Sequence, residues 1–380
     1  NRELASEYHC FVAELGLVAA VEAQSCGRPL SRGTWRHLVS MVDAAAAVVD
    51  ENLRGPRQGD GDQGQALLVD RPAGDPWAPL LAVGANVFGR LPWWPPIPEG
   101  GVGATVITAL AGCPTVAVQA GRPQERPADF ADAGVTILRS PPSGRPEIWC
   151  RCDGGPHGYL SIAAHAHADA LAIEVRVAGV DILSDPGTYC YHGEPTWRAY
   201  FRSTIGHNTL ELAGRDQSES GGPFLWLSQA ATTVLEVTVG DSARPEQLWS
   251  AEHDGYQTLV PPARHRRTVQ MNGHRLEIVD HVDCCGRHPC RLAFHLGPSV
   301  EATLDGRFAG LRWPGAPEPA SAKLELPPEL CWSAHRGETD PVLGWYSAAF
   351  GRKQPTVTLI GSGTCGLGAD TLRTVLYLPD

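Results

Sequence analysis

No apolar run in the 380-residue chain approaches the ~20 residues a helix needs to cross a bilayer, so no membrane-spanning helix is expected. Positive charge is in deficit as well. Lysine and arginine total 31 against 42 aspartates and glutamates, a formal net charge of -11. A general nucleic-acid binder carries a basic excess that displaces counterions, so no nucleic-acid partner is expected. The eleven cysteines lack any CxxC zinc-ribbon spacing, and the nearest approaches are Cys150-x-Cys152 and adjacent Cys284-Cys285. An odd set with no regular framework reads for the most part as buried small hydrophobes in a reducing compartment, which leans cytoplasmic. Asn1 opens the chain with neither a charged n-region nor an apolar h-region after it, so the native start is expected upstream. No repeat of fixed period stands out.

What is present describes a soluble globular chain long enough for about two or three cores. Residues Tyr8, Phe11, Val12, Leu15, Val18 and Val21 recur at helical steps, and Gly27-Arg28-Pro29 ends that helix. Ser31 or Thr34 can cap a second helix whose buried face runs from Trp35 to Val49 and on to Leu53. The Gly59 to Gly64 segment reads as a turn, because it lacks the later ligands of a calcium loop. A third helix is expected over Pro79 to Phe88, then a Pro/Gly-rich passage and a linker over 120–132.

From Gly134 the pattern changes to short apolar runs divided by turn residues. Strands are expected over Val135–Arg139, Glu147–Cys152, Leu160–His165, Leu171–Val177, Thr209–Leu212, Ala230–Val239, His265–Met271, Arg275–Val282, Arg291–Leu296 and Thr356–Ile360. Gly179-Val180-Asp181 and Asn272-Gly273 are expected turns. Helices followed by strands make an α+β chain, with a large antiparallel β-sandwich in its second part.

The densest chemistry lies in His165-Ala-His167-Ala-Asp169, with Asp185 eighteen residues after His167 and His207 beyond it in Gly-His-Asn-Thr. Residues i and i+2 of a strand share a face, and Leu171, Ile173, Val175 and Val177 continue the parity of His165 and His167. Inward-facing imidazoles need partners for their lost hydration, and an ion held by two nitrogens and a carboxylate supplies them. That donor set suits zinc better than magnesium or calcium. A polyanionic substrate would need local arginines. Arg198 and Arg202 lie closest to the motif, whereas Arg264, Arg266 and Arg267 read more simply as a solvated strand edge.

These motifs resemble the heparinase II/III polysaccharide lyases, whose members include related alginate lyases. The resemblance runs through residues 153–158, 165–169, 184–191, 197–204 and 206–209, and through the Asn1 to His9 helix start. It implies a remnant of an (α/α) toroid over 1–119, a linker over 120–132 and an antiparallel sandwich over 133–380, with an active cleft between helices and sandwich. By position it implies zinc at His167, Asp185 and His207, a catalytic histidine at His165, and a catalytic tyrosine at Tyr8 acting as base or acid. Tyr189 and Tyr191 would lie near the substrate. Members usually carry a longer toroid ahead of the tyrosine helix, so this chain reads as a fragment or as a shortened form.

The implied chemistry is β-elimination on a uronate-containing glycan such as a glycosaminoglycan. The proton α to the carboxylate leaves, then the 4-linked oxygen departs, with Tyr8 and His165 moving the protons. Two other classes stay open. A noncatalytic glycan-binding or structural module would use the metal only as a brace. A zinc hydrolase would use the open fourth coordination position, but Glu174 falls on the strand face opposite His167. Exposed sheet edges leave room for a homodimer.

Overall fold

A computed structural model describes residues 3–67, 75–98, 100–111, 121–140, 145–240, 246–315 and 319–379. Ala120, the first residue of the expected linker, lies outside them. The chain divides into two compact units, residues 3–128 and 129–380.

The first unit holds helices α1 (Ser6–Ser25), α2 (Arg32–Val48), α3 (Trp77–Phe88) and α4 (Val102–Ala111). Ser31 caps α2, its side chain accepting the Thr34 amide at 3.1 Å. Ala13, Leu17, Val42, Ala46 and Leu81, all unexposed, form the centre of one core. Gly84 fits there because a Cβ would stand 2.2 Å from a Val42 methyl carbon, so α2 and α3 pack backbone close to side chain. Helix α4 was not expected, since the Pro/Gly-rich passage before it masked a short apolar helix.

The stretch expected to be a linker is tied down. Arg122 forks onto Asp43, which also accepts Trp94 Nε1, and Arg126 donates to the Ala46, Ala47 and Val49 carbonyls at the end of α2. Those carbonyls have no intrahelical donor, so a guanidinium satisfies them. No described helix is long and apolar enough to cross a membrane.

The second unit is built on antiparallel strands. A five-stranded meander runs Asp129–Phe130, Val135–Arg139, Ile148–Asp153, Ile173–Val177 and Val180–Leu183. A ten-stranded sheet is centred on two 21-residue strands, Arg275–His295 and Val357–Tyr377, which pair from Arg275↔Tyr377 to His295↔Thr358. Residues of both sheets enter one core, including Cys150 and Val175 from the first and Trp249, Ile278, Leu292 and Phe294 from the second. Large antiparallel sheets sharing a core are consistent with a β-sandwich.

Several boundaries differ from expectation. The two expected strands at Arg275–Val282 and Arg291–Leu296 are one strand, with the register slipping between Cys284 and Arg287 at a bulge that includes Gly286. The first expected turn falls at Ala178-Gly179, where both residues have positive φ, and the second at Gly273-His274. The Leu160–His165 strand does not form. Leu160, Ala163 and Leu171 all take positive φ, which breaks an extended run into turns. Gly158, also at positive φ, lies where a Cβ would stand 2.9 Å from those of Ala163 and Ala166.

Candidate functional site

Because residues 154–172 are irregular, His165 and His167 do not share a strand face. The segment is held by hydrogen bonds to the end of helix α5 (Pro195–Arg202) and the turn after it. Ala168 N donates to Arg202 O, Arg202 Nε donates to Ala166 O, and Thr204 Oγ1 donates to Ala168 O. Arg202 also stacks over Trp226, 4.3 Å from the ring centroid. The result separates the two histidines in depth: His167 is buried and His165 half-buried.

His167 meets His207, whose ring follows the Thr204–Gly206 turn. His207 Nδ1 lies 2.7 Å from Ser203 O, so this nitrogen carries the proton and Nε2 is left with its lone pair. That Nε2 stands 3.2 Å from His167 Nδ1 and 3.6 Å from Asp185 Oδ2. Asp169 completes a buried group with His167 and His207 whose donor atoms lie within 4.8 Å of one another. Asp169 Oδ2 is buried with no hydrogen-bond partner among the described residues. Burial, reinforced by Asp153 and Asp185, pushes the Asp169 carboxyl well above its ordinary range.

These observations fit a metal ion. Donors 2.0–2.1 Å from a tetrahedral zinc lie about 3.3 Å apart, close to the separations around His207 Nε2. The partnerless carboxylate oxygen and the acid-rich pocket also call for a cation. Of the expected ligands, the structure gathers His167, Asp185 and His207, and it adds Asp169. The sequence signal for Asp169 was its place two residues after His167; Asp185 had already filled the carboxylate position.

The site rests on a buried brace. Asn208 Nδ2 donates to Ile173 O and Ser184 O, and its Oδ1 accepts His295 N, so the residue after His207 ties two strands and the residue following a third together. Arg267 donates to Leu171 O and Asn208 O and pairs with Asp280, which also meets His265 Nε2 at 2.7 Å. Arg267 is therefore a core strut rather than part of a solvated edge, whereas Arg264 and Arg266 pair with Glu252 at the surface.

The sequence profile described as heparinase II/III-like, C-terminal, matches residues 122–371. The chain belongs to the heparinase II/III-like family. Its fold is similar to a solved heparinase III, with TM-score 0.70 and 16% identity over 99% of this chain and 53% of that one. It is equally similar to heparan sulfate lyase HepC from Pedobacter heparinus, with TM-score 0.70 and 14% identity over 100% and 53%. At such identities the likeness is one of fold, and the chain spans about half the length of either. No curated protein matches by sequence.

In this heparinase II/III-like chain, His165 lies among aromatic rings, 5.9 Å from Phe224 and 6.3 Å from Tyr191 between centroids. Arg198 is buried over Tyr191 and Phe224 and donates to Pro223 O. Arg202 is equally buried and donates to Ala166 O and Gly222 O. Both arginines, expected to bind substrate, hold up the loops around the histidines. Tyr189 donates to Glu194 at 2.6 Å and lies 3.7 Å beneath Lys353 Nζ. In the helical unit, Tyr8 on α1 donates to Asp62 at 2.9 Å, so the Gly59 to Gly64 turn supplies its partner. His9 lies against Trp77 and Met41 O, and burial lowers it to about 4.

Proposed function

We propose that this chain is a polysaccharide lyase, or a part of one, cleaving a uronate-containing glycan by β-elimination. The observation that carries the reading is the half-buried His165 beside the buried His167, Asp169, Asp185 and His207 donor set, in a chain of the heparinase II/III-like family. Zinc is the metal proposed for that set, with His167, Asp185 and His207 as ligands and Asp169 as a further donor; when bound it supplies fixed positive charge and ties the loops together.

The residues themselves divide the work. His165 exchanges a proton with the substrate at one of its ring nitrogens. Tyr8, proposed for the second transfer, carries its phenolic proton toward Asp62. In the reaction the C5 proton passes to the base, the C4–O4 bond breaks as the C4=C5 double bond forms, and O4 takes a proton from the acid. The buried Arg198 and Arg202 keep the Phe224 and His165 loops in place, and Tyr191 and Tyr189 are proposed to line the substrate path.

Heparan sulfate is the first glycan to test, because one similar structure is a heparan sulfate lyase. The test is the ultraviolet absorbance of the unsaturated uronate product. The second reading, a noncatalytic glycan-binding module, is favoured by one fact: the chain spans about half of its structural relatives. Zinc hydrolysis loses ground, since Glu174 is buried between Arg151 and Arg176, 3.1 Å from each, and is not placed as a general base.

A further inference from the structure

Cys290 and Cys365, one on each of the two long central strands, face each other across the sheet. Cys290 on Arg275–His295 pairs in register with Gly363, and Cys365 on Val357–Tyr377 pairs with His288, so the two cysteines are diagonal neighbours. Their sulfurs lie 2.8 Å apart, well inside the about 3.5–4.0 Å at which non-bonded heavy atoms rest. Both side chains are buried, and Gly363 opposite Cys290 offers no side chain to wedge them apart. The contact joins residues 75 apart in sequence.

We propose that Cys290 and Cys365 form a disulfide, a covalent tie between the two longest strands. The other close sulfur pair shows what is particular here. Cys150 and Cys152 lie 3.9 Å apart on a single strand and would bridge only their own backbone. This pair then stands apart from the majority of the cysteines, expected to be reduced, buried hydrophobes.

The oxidant is a small-molecule disulfide such as oxidised glutathione, acting while the strands assemble and the thiols are still accessible. Either thiolate can attack first, and the balance is the same with Cys290 leading. Its thiolate attacks one glutathione sulfur, the glutathione S–S bond breaks, and one glutathione thiolate leaves. Cys365 then attacks the mixed disulfide at Cys290 and expels the second glutathione. Two cysteine thiols lose two protons and two electrons, and one glutathione disulfide becomes two thiols. The bond lies close to the candidate site's frame, because Cys290 also pairs with Leu212, five residues after His207.

The test uses the whole chain, refolded from the reduced state in oxidised and reduced glutathione. It is then acid-quenched, alkylated in denaturant without reductant, and mapped by mass spectrometry. The expected product is a peptide pair joined through Cys290 and Cys365, which separates on reduction. Free, alkylated Cys290 and Cys365 in protein with a native circular dichroism spectrum would overturn the proposal, as would either residue paired elsewhere. As a second measurement, reductant lowers the Tm of the wild type but leaves that of the Cys290→Val/Cys365→Val variant unchanged. Equal responses in the two proteins would also overturn it. Neither readout depends on lyase activity.

Discussion

His167 Nδ1 and His207 Nε2 face each other 3.2 Å apart inside the second unit, and the His207 lone pair is directed there because Nδ1 is engaged with Ser203 O. Asp185 Oδ2 stands 3.6 Å from the same Nε2. A lone pair facing a carboxylate is unfavourable without a proton or cation between them, and that relationship is the physical core of the metal assignment.

The first prediction concerns metal removal. Chelation is expected to lower Tm and added zinc to restore it, since ligand at 100 times its Kd stabilises the folded state by about 2.7 kcal/mol. His207→Ala should reduce bound zinc below one per chain by elemental analysis, and Asp169→Asn should weaken binding. Full occupancy in His207→Ala would remove the assigned site.

A second prediction concerns the buried strut. Arg267→Met leaves the unexposed Asp280 without its guanidinium and the Leu171 and Asn208 carbonyls without a donor. Removing one partner of a buried ion pair costs about 3–5 kcal/mol. Urea denaturation should show a loss of that order. Arg264→Met, at an exposed pair, should change stability by no more than about 1 kcal/mol.

Stability should also depend on pH in a defined direction. Burial lowers His295 to about 3, while its Nε2 meets Ile205 O and its Nδ1 meets Thr358 Oγ1. The unfolded chain takes up a proton near pH 6.5, and the folded one does not until about 3. The stability held at neutral pH is therefore lost as pH falls below 6.5. Between pH 7 and pH 5 this single group accounts for about 2 kcal/mol. Denaturation midpoints at the two values should differ accordingly, and His295→Asn should shrink the difference. Asp280 behaves as a depressed carboxylate, at about 2, where Arg267 and His265 offset its burial. Its contribution is present above about 3.9 and is lost as pH falls toward 2.

Much of this architecture was legible in the residues. Helical spacing from Tyr8 to Val21 marked α1, but the face it read included the exposed Val12 and Leu15, whereas Ala13, Leu17 and Val21 are buried; Ser31 marked the start of α2, and the change of period near Gly134 marked the strands. The donor set was legible as types and spacing, but its geometry was not. Alternation placed His165 and His167 on one strand, whereas positive φ at Leu160, Ala163 and Leu171 turns that segment into a loop. Single-residue backbone choices of this kind leave no periodic trace. Arg202 and Arg267 were legible as charges near the motif, but their use as donors to carbonyls distant in sequence depends on tertiary packing. Asp62 was read as a turn residue because its partner, Tyr8, lies 54 positions away.

The most direct test of the lyase reading is the ultraviolet absorbance of unsaturated uronate, followed while the zinc-loaded chain is incubated with heparan sulfate, chondroitin, hyaluronan and alginate. Tyr8→Phe and His165→Ala serve as controls whose folding and zinc content match the wild type. The account predicts a rise in absorbance with at least one glycan, and its loss in both variants. A rise that persists in His165→Ala, or a flat trace with every glycan from folded, zinc-loaded protein, would contradict it.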